Sequence, residues 1–168
     1  TESLADVKAM ILGMGERTGR GEAAQQVVAQ LDGRLRALEA ALASRPRKRA
    51  LLIFGLAPVV AAGPGSFPDE MLRMAGGENV VKDGTAYPVL SVERILALSP
   101  DIVLNGAVAE AHGLQRITRE TPGWKELAAV QAGHVVGLGD ESVLRPGPRI
   151  ADGVVVLARA LHPEVALP

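Results

Sequence analysis

The sequence predicts an α/β fold in which helices cover both faces of a short parallel sheet. Three observations lead there. The runs 50–54 (ALLIF), 101–104 (DIVL) and 134–138 (HVVGL) have strand length and are mostly apolar, as strands buried on both faces are. Segments of helical spacing lie between them, and alternation of strand and helix implies parallel strands joined by right-handed crossovers. The only aromatic residues are Phe54, Phe67, Tyr87 and Trp124, so the core has to be built of Leu, Val, Ile and Ala, which suits helices on a parallel sheet.

Two helices lead the chain. Over 3–15, Leu4, Val7, Met10, Ile11 and Met14 share one face, with Ser3 as N-cap and Asp6 three residues on as a relaxed capping box. Gly13, Gly15 and Gly19 then break the pattern. The longest helix is expected over 22–43, with Ala23, Val27, Leu31, Leu35, Leu38 and Leu42 as its apolar stripe and Arg34, Arg36 and Glu39 on the wet face. Gly33 within it costs about 1 kcal/mol relative to Ala. Such a helix spans roughly 30 Å, long for a crossover; a brace between lobes is the alternative. Pro46 ends it, and Arg47, Lys48 and Arg49 read as a solvated lead-in to the first strand.

Residues 55–66 (GLAPVVAAGPGS) read as an apolar loop at that strand's carboxyl end, the edge where open α/β sheets bind ligands. A loop that simply packs down is the other reading. A helix over 67–75, with Met71, Leu72 and Ala75 inward, stops at Gly76–Gly77. Ser91 N-caps a helix over 92–98, Ser99–Pro100 ends it, and the second strand turns off at Asn105–Gly106. Residues 107–121 read as a polar helix, 124–130 as a helical turn or two, 139–148 as the third edge loop and 150–161 as the closing helix, ended by His162–Pro163.

The chain divides into a leading part, 1–45, holding the two helices, and a lobe, 46–168. The leading helices have no sheet of their own to cover, so the chain reads as part of a larger architecture, a processed or truncated product beginning at Thr1. Residues 1–20 show no basic start followed by an apolar run, so no export signal is expected in them, and no apolar run approaches the roughly 20 residues that span a bilayer. A net charge of −1 and a pI near 6.3 argue against nucleic-acid binding. The absence of cysteine excludes disulfides and thiolate metal sites and leaves the compartment open.

Signs of catalysis are few. No G-x-S-x-G elbow or Walker lysine pattern occurs, and GPGS at 63–66 lacks G-x-G-x-x-G spacing. The three histidines, His112, His134 and His162, are not paired at ligand spacing; His134 and His162 read as structural. Asp69 and Glu70 suit a helix amino end. Asp140, Glu141 and Arg145 share one edge loop, as a local ion pair or, favoured by the loop's position, as ligand contacts. Glu93 stands in the first turn behind Ser91; from the residues alone it is a carboxylate worth a few tenths of a kcal/mol through the helix dipole.

Three stretches, GSFPDEMLRMAGGENVVKD, YPVLSVERILALSPDIVL and RPGPRIADGVVVLARALHPE, resemble in order and spacing the carboxyl-terminal lobe of the helical-backbone (class III) periplasmic binding proteins. These are the substrate receptors of ABC importers for cobalamin, ferric siderophores and haem. The resemblance covers residues 20 to 164. It implies a Rossmann-like three-layer lobe preceded by a rigid inter-lobe helix at 22–43, with the amino-terminal lobe, half the cleft and the export signal absent.

The resemblance also implies a binding protein without catalysis, cofactor or metal of its own. Glu93, in the pattern Ser91-x-Glu93, matches the family's docking glutamate, which pairs with arginines of the permease. The loops at 56–62 and 140–145 match cleft-lining segments. Leu56, Pro58 and Val59 would supply apolar contact, and Asn105, Glu141 and Arg145 polar groups. Cobalamin receptors carry an aromatic near Val59 or Val60, which this chain lacks, whereas RPGPRI is closer to cobalamin-type than to haem-type receptors. Pro148 and Arg149 would start and pin the last helix. The expected partners are cobalamin first, a ferric siderophore or haem second, and the importer permease, through which alone the protein meets a membrane. The expected place is the periplasm or, as a lipoprotein, the cell surface. Two rival readings are a nucleotide-binding Rossmann-type enzyme domain using the same edge, and a lobe that self-associates through an exposed apolar face.

Overall fold

A computed structural model describes residues 3–109, 113–114, 117–139 and 146–167. It begins with α1 (Leu4–Arg17) and α2 (Gly21–Leu42). Ser3 caps α1 as expected, its hydroxyl accepting the Asp6 N–H at 3.1 Å. The two helices pack closely because Gly15 leaves room: a Cβ there would lie 2.4 Å from the Ala24 Cβ. That contact sets the rotation of α2. Its inward stripe is Ala24, Leu31, Leu38 and Leu42, with Val28 and Leu35 half-buried, whereas Ala23 and Val27 face solvent. The sequence offers Ala-Ala and Val-Val pairs in register, and packing against Gly15 selects the second of each. On α1 the inward set is Val7, Ile11 and Gly15, and Met10 and Met14 are exposed.

The rest of the chain builds one mixed sheet and a separate small one. The elements are β1 (Lys48–Leu56), β2 (Val59–Ala61), α3 (Phe67–Met74), β3 (Gly77–Asn79), β4 (Val89–Leu90), α4 (Val92–Leu98) and β5 (Ile102–Asn105). They continue with β6 (Val108–Ala109), β7 (Gly113–Leu114), α5 (Ala128–Gln131), β8 (Val135–Gly137) and α6 (Ile150–Leu161). The main sheet runs β4-β2-β1-β5-β8, with β3 paired to the first half of β1. β3, β1, β5 and β8 are parallel, while β2 and β4 form an antiparallel extension. Among the described residues, β6 and β7 pair with each other in a two-stranded sheet.

Two expected elements are also corrected. Residues 55–66 are not one loop: β1 continues to Leu56 with a bulge between Ile53 and Gly55, and the chain returns through a cis Ala57–Pro58 bond as β2. Nor do the described residues of 107–121 form a helix; β6 and β7 occupy that stretch, followed by a turn in which the Thr121 N–H donates to the Thr118 carbonyl. The boundaries of α4 and α6 agree with the sequence spacing.

Alternation along β1 sends side chains to two cores. Ala50 and Leu52 join Leu104, Met71, Leu72, Leu157 and the stripe of α2. Leu51 and Ile53 join Val103, Ile95, Trp124 and Leu127 on the opposite face. The result is three layers, with α2 tied to α6 by an Arg34–Asp152 ion pair at 2.7 Å. The basic run is more than a solvated lead-in. The Arg47 guanidinium donates to the Arg73 and Gly77 carbonyls, both at 3.0 Å, and Arg49 to the Leu98 and Ser99 carbonyls at 2.7 and 3.3 Å. Two cations thus bind carbonyls of the α3–β3 turn and of the end of α4.

Candidate ligand edge and docking helix

β1, β5 and β8 all point their carboxyl ends to one edge. Asn105 ends β5 and is 2% exposed. Its amide oxygen accepts the Ala107 N–H at 3.0 Å, its carbonyl accepts the Leu138 N–H at 2.8 Å, and Gly106 donates to the Ile53 carbonyl at 2.8 Å. These bonds hold the three strand ends together. Leu56 is half-buried and Pro58 exposed at the tip of the β1–β2 hairpin, whereas the Val59 side chain packs into the core with Leu51, Ile53 and Leu90. Glu141 and Arg145, with Asp140 and His112, lie outside the described residues.

Pattern reading missed an apolar strip at this edge. Tyr87, 53% exposed, meets Phe54 edge-to-face with ring centroids 6.3 Å apart. Val89, 65% exposed, stands opposite half-buried Val60 in the β2–β4 register. β4 is two residues long, too short for any periodicity, and the scarcity of aromatics was the one signal that pointed to Tyr87.

The GPGS segment is closed to anions. Gly63 donates to the Ala86 carbonyl at 2.8 Å, and Gly65 to an Asp69 carboxylate oxygen at 3.2 Å. The Ser66 hydroxyl donates to the Gly63 carbonyl at 2.8 Å and accepts the Asp69 N–H at 3.2 Å. Asn79 donates to Asp69 and to the Ala62 carbonyl, both at 3.0 Å. The chain's own buried carboxylate stands at the amino end of α3, where a phosphate would need to sit.

On α4 the expected cap is present, with the Ser91 hydroxyl accepting the Arg94 N–H at 3.2 Å. Glu93 is fully exposed, and hydrogen bonds from its own backbone N–H and from the Ser91 hydroxyl hold its carboxyl below the ordinary range. Arg94 turns to Asp83, reaching both carboxylate oxygens at 2.8 and 2.9 Å. The helix ends at Ser99, whose φ of 45° is left-handed. His134 lies 3.2 Å from the Asp101 carbonyl, and His162 is buried against Gly76. Among the described residues there is no group of three or more His, Cys, Asp or Glu that could hold a metal, and no helix is long and apolar enough to cross a membrane. A groove of about 570 Å³ between α2 and α3 lies beside Arg47, at the amino end of β1 and away from the ligand edge.

The chain is thus a three-layer α/β lobe with an apolar strip at its strand ends and a charged, capped surface helix. A family model described as periplasmic binding protein matches residues 1–142, and the chain belongs to that family, one of substrate-binding proteins and not of enzymes. The cobalamin-binding protein of Halobacterium salinarum is 28% identical over 154 residues, covering 89% of this chain and 42% of that protein. The vitamin B12-binding protein of Salmonella typhimurium is 32% identical over 142 residues, 83% of this chain and 50% of that protein. The crystal structure of an ABC transporter substrate-binding protein from Listeria monocytogenes superposes with a TM-score of 0.83 at 20% identity, covering 97% of this chain and 66% of that one, a likeness of fold. The chain spans about half the length of the curated relatives it matches.

Proposed function

We propose that the chain serves as one lobe of a periplasmic or surface-anchored receptor that captures cobalamin for an ABC importer. The observation that carries this reading is the exposed strip of Tyr87 and Val89, beside Phe54 and Val60, at the carboxyl edge of β1. It offers a large ligand apolar contact on an ordered wall. Pro58 and Leu56 extend the strip at the hairpin tip, and Glu141 and Arg145, which follow β8 in sequence, are proposed as polar contacts. The cobalamin- and B12-binding relatives favour cobalamin over haem or a ferric siderophore. Glu93 is proposed to dock the lobe on the permease through cationic side chains, an ion pair that sets orientation and encounter rate.

Titration of the chain with cyanocobalamin, haemin and a ferric hydroxamate, followed by visible absorbance, tests the ligand. Saturable binding of cyanocobalamin alone is expected. Saturation by haemin or the hydroxamate instead moves the receptor to that ligand, and no binding by this chain or by a two-lobe form overturns the reading.

A further inference from the structure

We propose that the groove between α2 and α3 is a binding site for an amphiphilic organic carboxylate, distinct from the strip at the strand ends. It lies at the amino end of β1, the opposite end from Tyr87 and Val89, and its volume is about 570 Å³. Sites for small organic molecules hold about 300–1,000 Å³. One helix face makes each wall. Asp32, Leu35, Arg36, Glu39 and Leu42 share a face of α2, and Glu70, Arg73 and Met74 share a face of α3. Leu42 is buried, and Leu35 and Met74 are half-buried, so the groove has an apolar lining between charged rims. Leu35 and Leu42 are two turns apart, about 10 Å along the helix.

The charges are unevenly spread. At the α1 end the acidic groups are engaged: Asp32 pairs with Lys8, and a Glu70 carboxylate oxygen accepts the Leu4 N–H at 2.8 Å. The basic groups gather where α2 and α3 finish. Arg45 follows α2, and Arg73 stands in the last turn of α3. Arg47 is fixed against that turn by its bonds to the Arg73 and Gly77 carbonyls. Both bonds leave from Nη1, so the hydrogens on Nε and Nη2 remain for a ligand. Among the described residues, the guanidinium groups of Arg36 and Arg45 make no hydrogen bond or ion pair.

The lining carries four arginines, Arg36, Arg45, Arg47 and Arg73, against three carboxylates, Asp32, Glu39 and Glu70. Lys8 beside Asp32 and Asp69 beside Arg73 offset each other just outside it. The surplus is therefore one positive charge. The carboxyl ends of α2 and α3 temper the field at the basic end, which favours a single negative charge over two. A carboxylate also meets a guanidinium through two parallel N–H bonds. With its head at Arg45 and Arg47, a ligand would lay an apolar body on Leu42, Leu35 and Met74, toward Leu4. Because this site uses neither the strip nor Glu93, it stands apart from the cobalamin reading.

Titration of the isotope-labelled chain with octanoate, followed by amide chemical shifts, tests the site. Octanoate should saturate, with the largest shifts in residues 35–47 and 70–77. Arg45 is exposed and outside every helix and strand, so Arg45→Gln keeps the fold. That variant should weaken octanoate binding about tenfold, the loss of a hydrogen bond to a charged group. Acetate, which lacks the apolar body, and octyltrimethylammonium, which reverses the charge, should not saturate over the same range. No saturation by octanoate, an unchanged affinity in Arg45→Gln, equal binding of the ammonium or of acetate, or shifts centred on Phe54 and Tyr87 each overturn the proposal.

Discussion

Tyr87 is the residue whose surroundings say most about binding. Its side chain is half in solvent and in a T-shaped contact with Phe54, at the carboxyl edge of β1. An aromatic contact of this kind is worth about 1 kcal/mol beyond its area. Tyr87→Ala should therefore weaken cyanocobalamin binding about five- to tenfold, as isothermal titration would measure, with a small fall in melting temperature from loss of the Phe54 contact. Asp69 shows the opposite case. Read from the sequence, it is a dipole-favourable carboxylate at a helix start. In the structure it is buried and bonded to Asn79 and Gly65, and this turns a loop that resembles a phosphate cradle into a closed turn. The nucleotide-binding rival loses its one motif to that carboxylate.

At the scale of elements, α2 and α4 are instructive. The helical period of α2 allows two adjacent stripes, and the contact with Gly15 decides between them. Gly15→Val would drive a branched side chain into Ala24 and should cost about 2 kcal/mol by overpacking, read as a lower urea midpoint with an unchanged slope. α4 is seven residues long, too short to hold its shape alone. Ser91 caps its start, Arg94 is tied to Asp83, and Arg49 binds the carbonyls at its end. Helix starts were legible because a cap and its N–H partner lie three residues apart. The strand pairing of β2 with β1 and β4 was not, because it joins Val60 to Val89 and Leu56 to Val59 through turns that carry no periodic signal.

For the whole molecule, the proposed ligand edge and the proposed docking helix are neighbours in sequence. Tyr87 and Val89 border the edge, and Ser91 begins the helix that presents Glu93. The two roles remain separable, since Glu93 is fully exposed on α4 and outside the apolar strip. In a two-lobe receptor reconstituted with its importer, Glu93→Arg should abolish cobalamin uptake while leaving the dissociation constant unchanged. A fall in affinity would assign Glu93 to the ligand instead.

The sequence by itself determined the α/β class, the capped starts of α1 and α4, the stop at Gly76 and the run of α6. Each of these depends on residues within one or two turns of one another. Tertiary structure alone decided which stripe of α2 faces the core and where Arg47 and Arg49 end up. It also built the antiparallel hairpin that widens the sheet and brought Tyr87 against Phe54. Apart from the hairpin itself, whose paired residues lie 3 to 8 positions apart, those outcomes rest on partners 9 to 50 positions apart, whose meeting is set by close packing of the whole chain.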